Sequence, residues 1–173
     1  MDIKEEEILG SLVETHWYYQ SKAQAVGQTL AATSFESILD VGAGSGFFSR
    51  YLLKRTDAKR ALCVDIGYAQ ESEITEAGKP LQFRKAAGSA SADLVLLMDV
   101  LEHLDQDEEL LRTYVERAPS GTWFLVSVPA FQFLWSDHDV FLGHHRRYRL
   151  SQLEILVRNA GLTVDRGFYY FGA

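Results

Sequence analysis

Ile38-Leu39-Asp40-Val41-Gly42-Ala43-Gly44-Ser45-Gly46-Phe47-Phe48 decides how this chain folds. Ile38, Leu39 and Val41 make a short apolar run of the kind that forms a buried parallel strand. The run passes into glycines at 42, 44 and 46, and the amphipathic Phe47-Phe48-Ser49-Arg50-Tyr51-Leu52-Leu53-Lys54 beyond them reads as a helix. Strand, glycine turn and helix form the ligand-binding corner of a doubly wound sheet. Without Cβ atoms the turn can close tightly and a ligand can lie against bare backbone. The unsatisfied N–H groups where the new helix starts favour a negative group on that ligand, a carboxylate or a phosphate.

Glycine spacing narrows the ligand. The dinucleotide fingerprint G-x-G-x-x-G would place its third glycine at Phe47 if counted from Gly42, or at Ser49 if counted from Gly44. The chain instead reads G-x-G-x-G, with Asp40 two residues before Gly42. A second acid, Asp65, closes the next apolar run, Ala61-Leu62-Cys63-Val64, and lies 19 residues after Gly46. A carboxylate at that strand end can accept hydrogen bonds from two ribose hydroxyls. The pattern points to a nucleoside-type cofactor. Phe47 and Ser49 argue against the main rival, an NAD(P)-dependent oxidoreductase.

Working outward, strands are expected at 37–41, 61–66, 81–87, 93–99, 122–128 and 163–170, alternating with helices at 46–56, 68–80 and 105–118. A further helix starts at the capping box Ser151-Gln152-Leu153-Glu154 and ends at Gly161. Residues 4–32 read as an N-terminal helix with an aromatic patch, His16-Trp17-Tyr18-Tyr19, that either packs as core or lies over the ligand. The class is α/β, a doubly wound and mostly parallel sheet with helices on both faces. The acidic cluster Asp105, Asp107, Glu108 and Glu109 reads as a solvated helix start.

Composition sets the outer limits. A chain of 173 residues with 47% hydrophobic content supports one domain with a sizeable core. The net charge of −7 and the lack of a basic stripe disfavour nucleic acid as a partner. A small-molecule acceptor fits better. The single Cys63 cannot form an internal disulfide, which suits a reducing, cytoplasmic setting. The acidic start Met1-Asp2-Ile3-Lys4-Glu5-Glu6-Glu7 is unlike a signal peptide. No apolar run reaches the ~18 residues of a spanning helix, so membrane insertion is not expected. Either a monomer or a homodimer is compatible with these features.

Candidate chemistry falls at strand ends and in the long segment from Ala130 to Arg149. Glu102-His103 follows the apolar strand Asp93–Asp99, and an acid–His pair at such an end suits a reaction site. The segment after 130 carries Asp137-His138-Asp139 and His144-His145-Arg146-Arg147-Tyr148. Arg146 and Arg147 can grip a carboxylate or phosphate, and His138 or His145 can take a proton from an attacking atom. The spacing of these histidines with Asp137 and Asp139 follows no zinc template, so no metal site is expected.

The glycine turn with Asp40 and Asp65 resembles motif I of the class I S-adenosylmethionine-dependent methyltransferases. Leu97-Met98-Asp99-Val100-Leu101-Glu102-His103 resembles motif IV of their small-molecule branch, which includes the ubiquinone/menaquinone-type enzymes. Val128-Pro129-Ala130 through His-Arg-Arg-Tyr, with His16-Trp17-Tyr18, looks like bacterial methyltransferases, some of them associated with glycans or lipids. The resemblance covers residues 35–130 by motif and nearly the whole chain by element order. It implies a single methyltransferase domain over 1–173: an N-terminal helical lid (1–34), a cofactor-binding core (35–130), a substrate-facing loop (131–149) and a C-terminal helix and strand (150–173).

It further implies S-adenosylmethionine as cofactor, bordered by Asp40, Gly42, Ala43, Gly44, Gly46, Phe47, Asp65, Ile66, Met98 and Asp99. Catalytic candidates are His103, His138 and His145. Substrate-side candidates are His16, Trp17, Glu102, Arg146, Arg147 and Tyr148. Two departures stand out. No acid follows the third strand to hold adenine, leaving backbone, apolar contacts or Ser89. Nor does the chain continue into the family's last antiparallel strand. A non-catalytic S-adenosylmethionine-binding module is the remaining alternative.

Overall fold

Apolar residues with no polar face can only be satisfied by burial on both sides, and β1 (Ser37–Val41) is buried at every position. The same holds for β5 (Leu94–Met98). In the computed structural model, which describes residues 15–170, these two strands lie side by side at the centre of a six-stranded sheet. β2 (Arg60–Val64), β3 (Ser72–Glu76), β4 (Lys79–Arg84) and β6 (Trp123–Ser127) complete it in the order β3-β4-β2-β1-β5-β6. β1 pairs in parallel with β2 and β5, and β2 with β4, so Val41, Val64 and Leu97 stand level at the carboxyl edge. The chain leaves β1 in one direction for β2 and returns on its other side as β5. The glycine turn after β1 therefore lies at a topological switch point.

The described chain forms two units, residues 15–98 with Pro119–Val126, and Asp99–Ala118 with residues 127–170. In the first unit, α1 (Trp17–Thr29) and α2 (Phe47–Arg55) bury Tyr19, Ala23, Val26, Phe48, Leu52 and Leu53 in one core with Ile38, Leu81, Leu94 and Leu96. Tyr19 and Phe47 meet edge to face at 5.8 Å. The aromatic patch thus contributes Tyr19 to the core, whereas Trp17 is 68% exposed. The residues of the expected helix before 15 lie outside the described ones.

The second unit contains α3 (Asp107–Arg117), α4 (Asp137–Leu142) and α5 (Leu150–Asn159), with short 3-10 turns at Leu101–His103 and Gln132–Leu134. α3 and α5 pack together, and Gly161 lets the chain leave α5 at φ +102° beside Val115.

Four expectations are corrected. The helix expected over 68–80 is an antiparallel hairpin of β3 and β4. Its two central turn residues, Ala77 and Gly78, have φ of 51° and 77°. That pair of positive values makes the primed turn that matches strand twist. β3 is an exposed edge carrying Glu73 and Glu76, charges that discourage edge pairing. The sheet is mostly parallel, as expected, with β3 antiparallel at the β4 edge.

Residues 163–170 form no strand. Gly167 lies where a Cβ would come within 2.8 Å of Glu154 and 2.9 Å of Leu150, and Tyr169 stacks on Phe131 at 4.7 Å. This segment packs by side chains against α5 rather than pairing by its backbone.

The expected cap at Ser151 falls inside α5. The helix starts at Leu150, where Gln152 Oε1 accepts from the Arg149 N–H at 2.8 Å, and Glu154 pairs with Arg158. Last, Asp107 is not solvated. It is buried and accepts from the Tyr148 hydroxyl at 2.7 Å and from Arg146 at 3.1 Å.

Candidate functional site

The cofactor corner is built from the end of β1. Gly42, Gly44 and Gly46 all take left-handed backbone, at φ 65°, 53° and 73°. Gly46 caps α2, and a Cβ there would sit 2.9 Å from Cys63 Sγ and 3.0 Å from Phe83. No other residue type fits that position without moving the strand residues beneath it. The turn is fastened from below by Gly42 and Ala43, whose N–H groups donate to the Val64 carbonyl at 2.7 and 3.2 Å.

Asp40 is wholly buried under this turn. Its Oδ2 accepts from the Ser49 hydroxyl at 2.8 Å, tying β1 to the first turn of α2. Burial pushes its carboxyl up to about 6 against the opposing pull of Ser49. Burial likewise drives the Cys63 thiol up, which makes it an inert packing group. Asp40 therefore shapes the corner from inside it.

Asp65 follows the end of β2 and reaches the glycine turn. Its Oδ2 accepts from the Gly44 N–H at 3.1 Å and its Oδ1 from the Gly67 N–H at 2.8 Å. One bond to each oxygen leaves further lone pairs on both for ligand hydroxyls. The Tyr68 hydroxyl donates to the Gly44 carbonyl at 2.6 Å and fixes the other side of that residue. Ala43 and Phe47 are buried beside the turn, Ile66 is 93% exposed next to Asp65, and Met98 is buried at the end of β5. Glycines without Cβ, a helix start and a ribose-type acid thus lie together within the first unit, and this set fits a nucleoside cofactor that carries an amino-acid carboxylate.

Asp99 opens the second unit in a left-handed conformation, φ 57°, that a non-glycine residue holds only under constraint. Ser127 supplies that constraint. Its carbonyl accepts from the Asp99 N–H and its hydroxyl donates to Asp99 Oδ1, both at 2.9 Å.

Charge pairs organise the rest of this unit. Asp139, wholly buried on α4, receives both arms of the Arg147 guanidinium at 2.8 and 2.9 Å. It also accepts from the Ser136 N–H at 2.8 Å and pairs with His144 Nδ1 at 2.9 Å. Burial works to raise the Asp139 carboxyl, but Arg147 and His144 hold it well below the usual carboxylate range. Arg146 pairs with Asp107, and His145 Nδ1 with Asp105 Oδ1 at 2.6 Å. Tyr148 is buried, and its hydroxyl is raised by burial and by the Asp107 carboxylate.

The arginines expected to grip a ligand anion are thus engaged by protein carboxylates, and Tyr148 braces α3. The segment read as a loop carries a helix. Of the histidine candidates, His103 and His145 lie with Glu102 around the 3-10 turn, where the His145 N–H donates to the Glu102 carbonyl at 2.7 Å. His138 is exposed on α4. His16 meets Trp17 and Tyr19 at 6.0 and 5.9 Å.

Sequence reasoning named His144 and Asp139 but missed their pairing. Ser136-x-x-Asp139 is itself a capping box, and Gly143 ends its short helix at φ 77°, folding His144 back onto Asp139. Lys22 was missed as well. It is buried, with Nζ 5.8 Å and 5.7 Å from the ring centroids of Tyr18 and Phe48.

A glycine turn at the switch point, with an acid just after the next strand, marks a domain of the Rossmann-like class. Residues 15–166 match the model of the methyltransferase-domain family, so the chain belongs to that family, among the class I S-adenosylmethionine-dependent methyltransferases. A curated relative, the mitochondrial ubiquinone biosynthesis O-methyltransferase of Candida albicans, is 25% identical over 125 residues, covering 63% of this chain and 37% of the relative.

Among solved structures, a chain from the complex of the Haloferax volcanii Trm112 methyltransferase activator with a methyltransferase matches at TM-score 0.71 and 18% identity, over 96% of this chain and 79% of that one. Human N-acetylserotonin methyltransferase in complex with S-adenosylmethionine matches at TM-score 0.61 and 15% identity, over 86% and 48%. These structural likenesses concern the fold. The chain spans about a third of the curated relative and about half of the human enzyme. The cofactor is S-adenosylmethionine. Among the described residues, no helix is long and apolar enough to cross a membrane.

Proposed function

We propose that the domain transfers a methyl group from S-adenosylmethionine to a hydroxyl oxygen of a small organic acceptor. The observation that carries this reading is Asp65 bonded to the Gly44 N–H at the β1 turn. It supports the reading of Asp65 as a ribose acceptor beside bare backbone at the switch point. The oxygen acceptor is favoured by the ubiquinone O-methyltransferase likeness and by the His145–Asp105 pair.

When bound, the cofactor supplies an electrophilic methyl on a good leaving group, so the protein's main task is alignment. Asp65 holds the ribose hydroxyls, and the turn at Gly42, Gly44 and Gly46 with the start of α2 receives the amino-acid end. Met98 and Asp99 border it. His145, with Nδ1 held by Asp105, is the general base, and its Nε2 takes the proton from the acceptor hydroxyl. Glu102, His16 and Trp17 are proposed on the acceptor side, and the cytoplasm is proposed as the compartment.

Incubation with methyl-labelled cofactor and a panel of phenols, catechols, sugars and amines tests the proposal. Label should enter an oxygen acceptor, and His145→Gln should cut turnover by about 100-fold or more while cofactor affinity stays within twofold. Label in amines alone would overturn the oxygen assignment. Cofactor binding without turnover on any acceptor would favour a binding module.

A further inference from the structure

We propose that Glu102, His103 and His144 form a binding site for one divalent first-row transition-metal cation, with Asp139 positioning His144. The three residues come from two places 41 positions apart in the chain, the 3-10 turn after β5 and the residue after the Gly143 cap. One ligand-type atom from each lies within 4.8 Å of the other two. The His103 and His144 rings meet edge to face at 4.7 Å. Glu102 is wholly buried. The His145 N–H bond to the Glu102 carbonyl at 2.7 Å fastens the two segments together.

The setting of His144 carries the argument further. Its Nδ1 is taken by Asp139 Oδ1 at 2.9 Å, so the ring offers Nε2 to the cluster. Asp139 is itself fixed by two bonds from Arg147 and one from the Ser136 N–H. A buried carboxylate behind an imidazole is the outer support that metal-bound histidines use to set ring orientation and basicity.

Two imidazoles and a carboxylate select zinc, cobalt, iron(II) or manganese over magnesium and calcium, which prefer all-oxygen sets. Ligand distances of about 2.0–2.2 Å put donor atoms about 3–3.5 Å apart, a spacing that atoms within 4.8 Å of one another reach by side-chain adjustment. Three protein ligands leave open positions for water or an acceptor oxygen. His144 spacing alone gave no such expectation, because the site joins distant segments. The proposal goes beyond the methyl-transfer reading and does not rest on it.

The test uses the full chain, stripped with a chelator and titrated separately with Co2+, Zn2+, Mn2+ and Mg2+. Calorimetry and the visible absorption of Co2+ report binding. One equivalent of Co2+ and Zn2+ should bind saturably, with Mg2+ at least 100-fold weaker. His144→Asn, which keeps a donor for Asp139, and Glu102→Gln should each weaken Co2+ at least tenfold. Asp139→Asn should weaken it about 10-fold or more. His138→Ala should leave it unchanged.

Because a buried variant can fail to fold, nitrogen-detected NMR of the wild-type chain is recorded with Zn2+. Among its five histidines, the signals of His103 and His144 should move and those of His16 and His138 should not. No saturable Co2+ or Zn2+ binding, wild-type affinity in a folded His144→Asn, or perturbation of other histidines instead would overturn the proposal. Loss of methyl transfer without loss of metal binding would count against the catalytic reading alone.

Discussion

Gly46 and Gly78 share a left-handed backbone but not a neighbourhood. Beneath Gly46 lie Cys63 and Phe83, whereas nothing stands within 4 Å of a Cβ at Gly78. Gly78→Ala should cost only the backbone penalty, about 1 kcal/mol, and Gly46→Ala about 2 kcal/mol more through the clash, read as shifts in urea midpoint. Equal costs would mean that the approach to Cys63 is not tight.

Asp40 makes a separate prediction. In the unfolded chain its carboxyl titrates near 3.8, and in the fold it keeps its proton up to about 6. Its contribution to stability is full below the lower value and lost as pH rises through the higher one. Asp40→Asn, which still accepts from Ser49, should flatten the pH dependence of stability by on the order of 3 kcal/mol between about pH 4 and about pH 7. An unchanged profile would show that Asp40 is solvated. Asp65→Asn should weaken cofactor binding about tenfold while leaving the melting temperature of the ligand-free protein nearly unchanged. The motif residues of this corner were legible in the sequence because the spacing of glycines and acids is local. The burial of Asp40 was not, because burial depends on everything packed around it.

Among elements, α4 and the tract after it show how a sequence motif can point to the right residues and the wrong partners. Arg147 was legible as an anion-binding residue, and it does bind an anion, Asp139. Side-chain exposures of 17% and 0% put the pair out of reach of solvent screening. Arg147→Ala should therefore destabilise the protein by about 3 kcal/mol, detectable by chemical unfolding, and should do so with no acceptor present. A change confined to turnover would restore Arg147 to ligand contact. β3 was missed because 68–80, with Glu71, Glu73 and Glu76, read as a short helix. The Ala77-Gly78 step and the alternation around Ile74 carried the strand signal instead. Residues 163–170 have strand-forming composition but no backbone partner among the described residues, and composition cannot supply one.

At the scale of the molecule, the order β3-β4-β2-β1-β5-β6 reverses once beside β1, with α2 joining β1 to β2 and α3 lying between β5 and β6, while β2 to β5 follow one another without a helix. Periodicity and length gave five of the six strands to within a few residues, since buried parallel strands are continuous apolar runs. Long-range pairings such as Tyr148 with Asp107 or His145 with Asp105 lie beyond any local pattern.

The central claim is that the β1 turn holds S-adenosylmethionine. Thermal denaturation of the protein with S-adenosylmethionine, S-adenosylhomocysteine, NADH and NADPH, each at about 100 times a typical dissociation constant, tests it directly. Occupancy of one site stabilises the fold by ~2.7 kcal/mol, a rise of roughly 5–10 °C for a chain of this length. The account predicts that rise with the first two ligands, its reduction in Asp65→Asn, and none with the nicotinamides. A rise with NADH or NADPH alone, or no rise with any of the four, would contradict it.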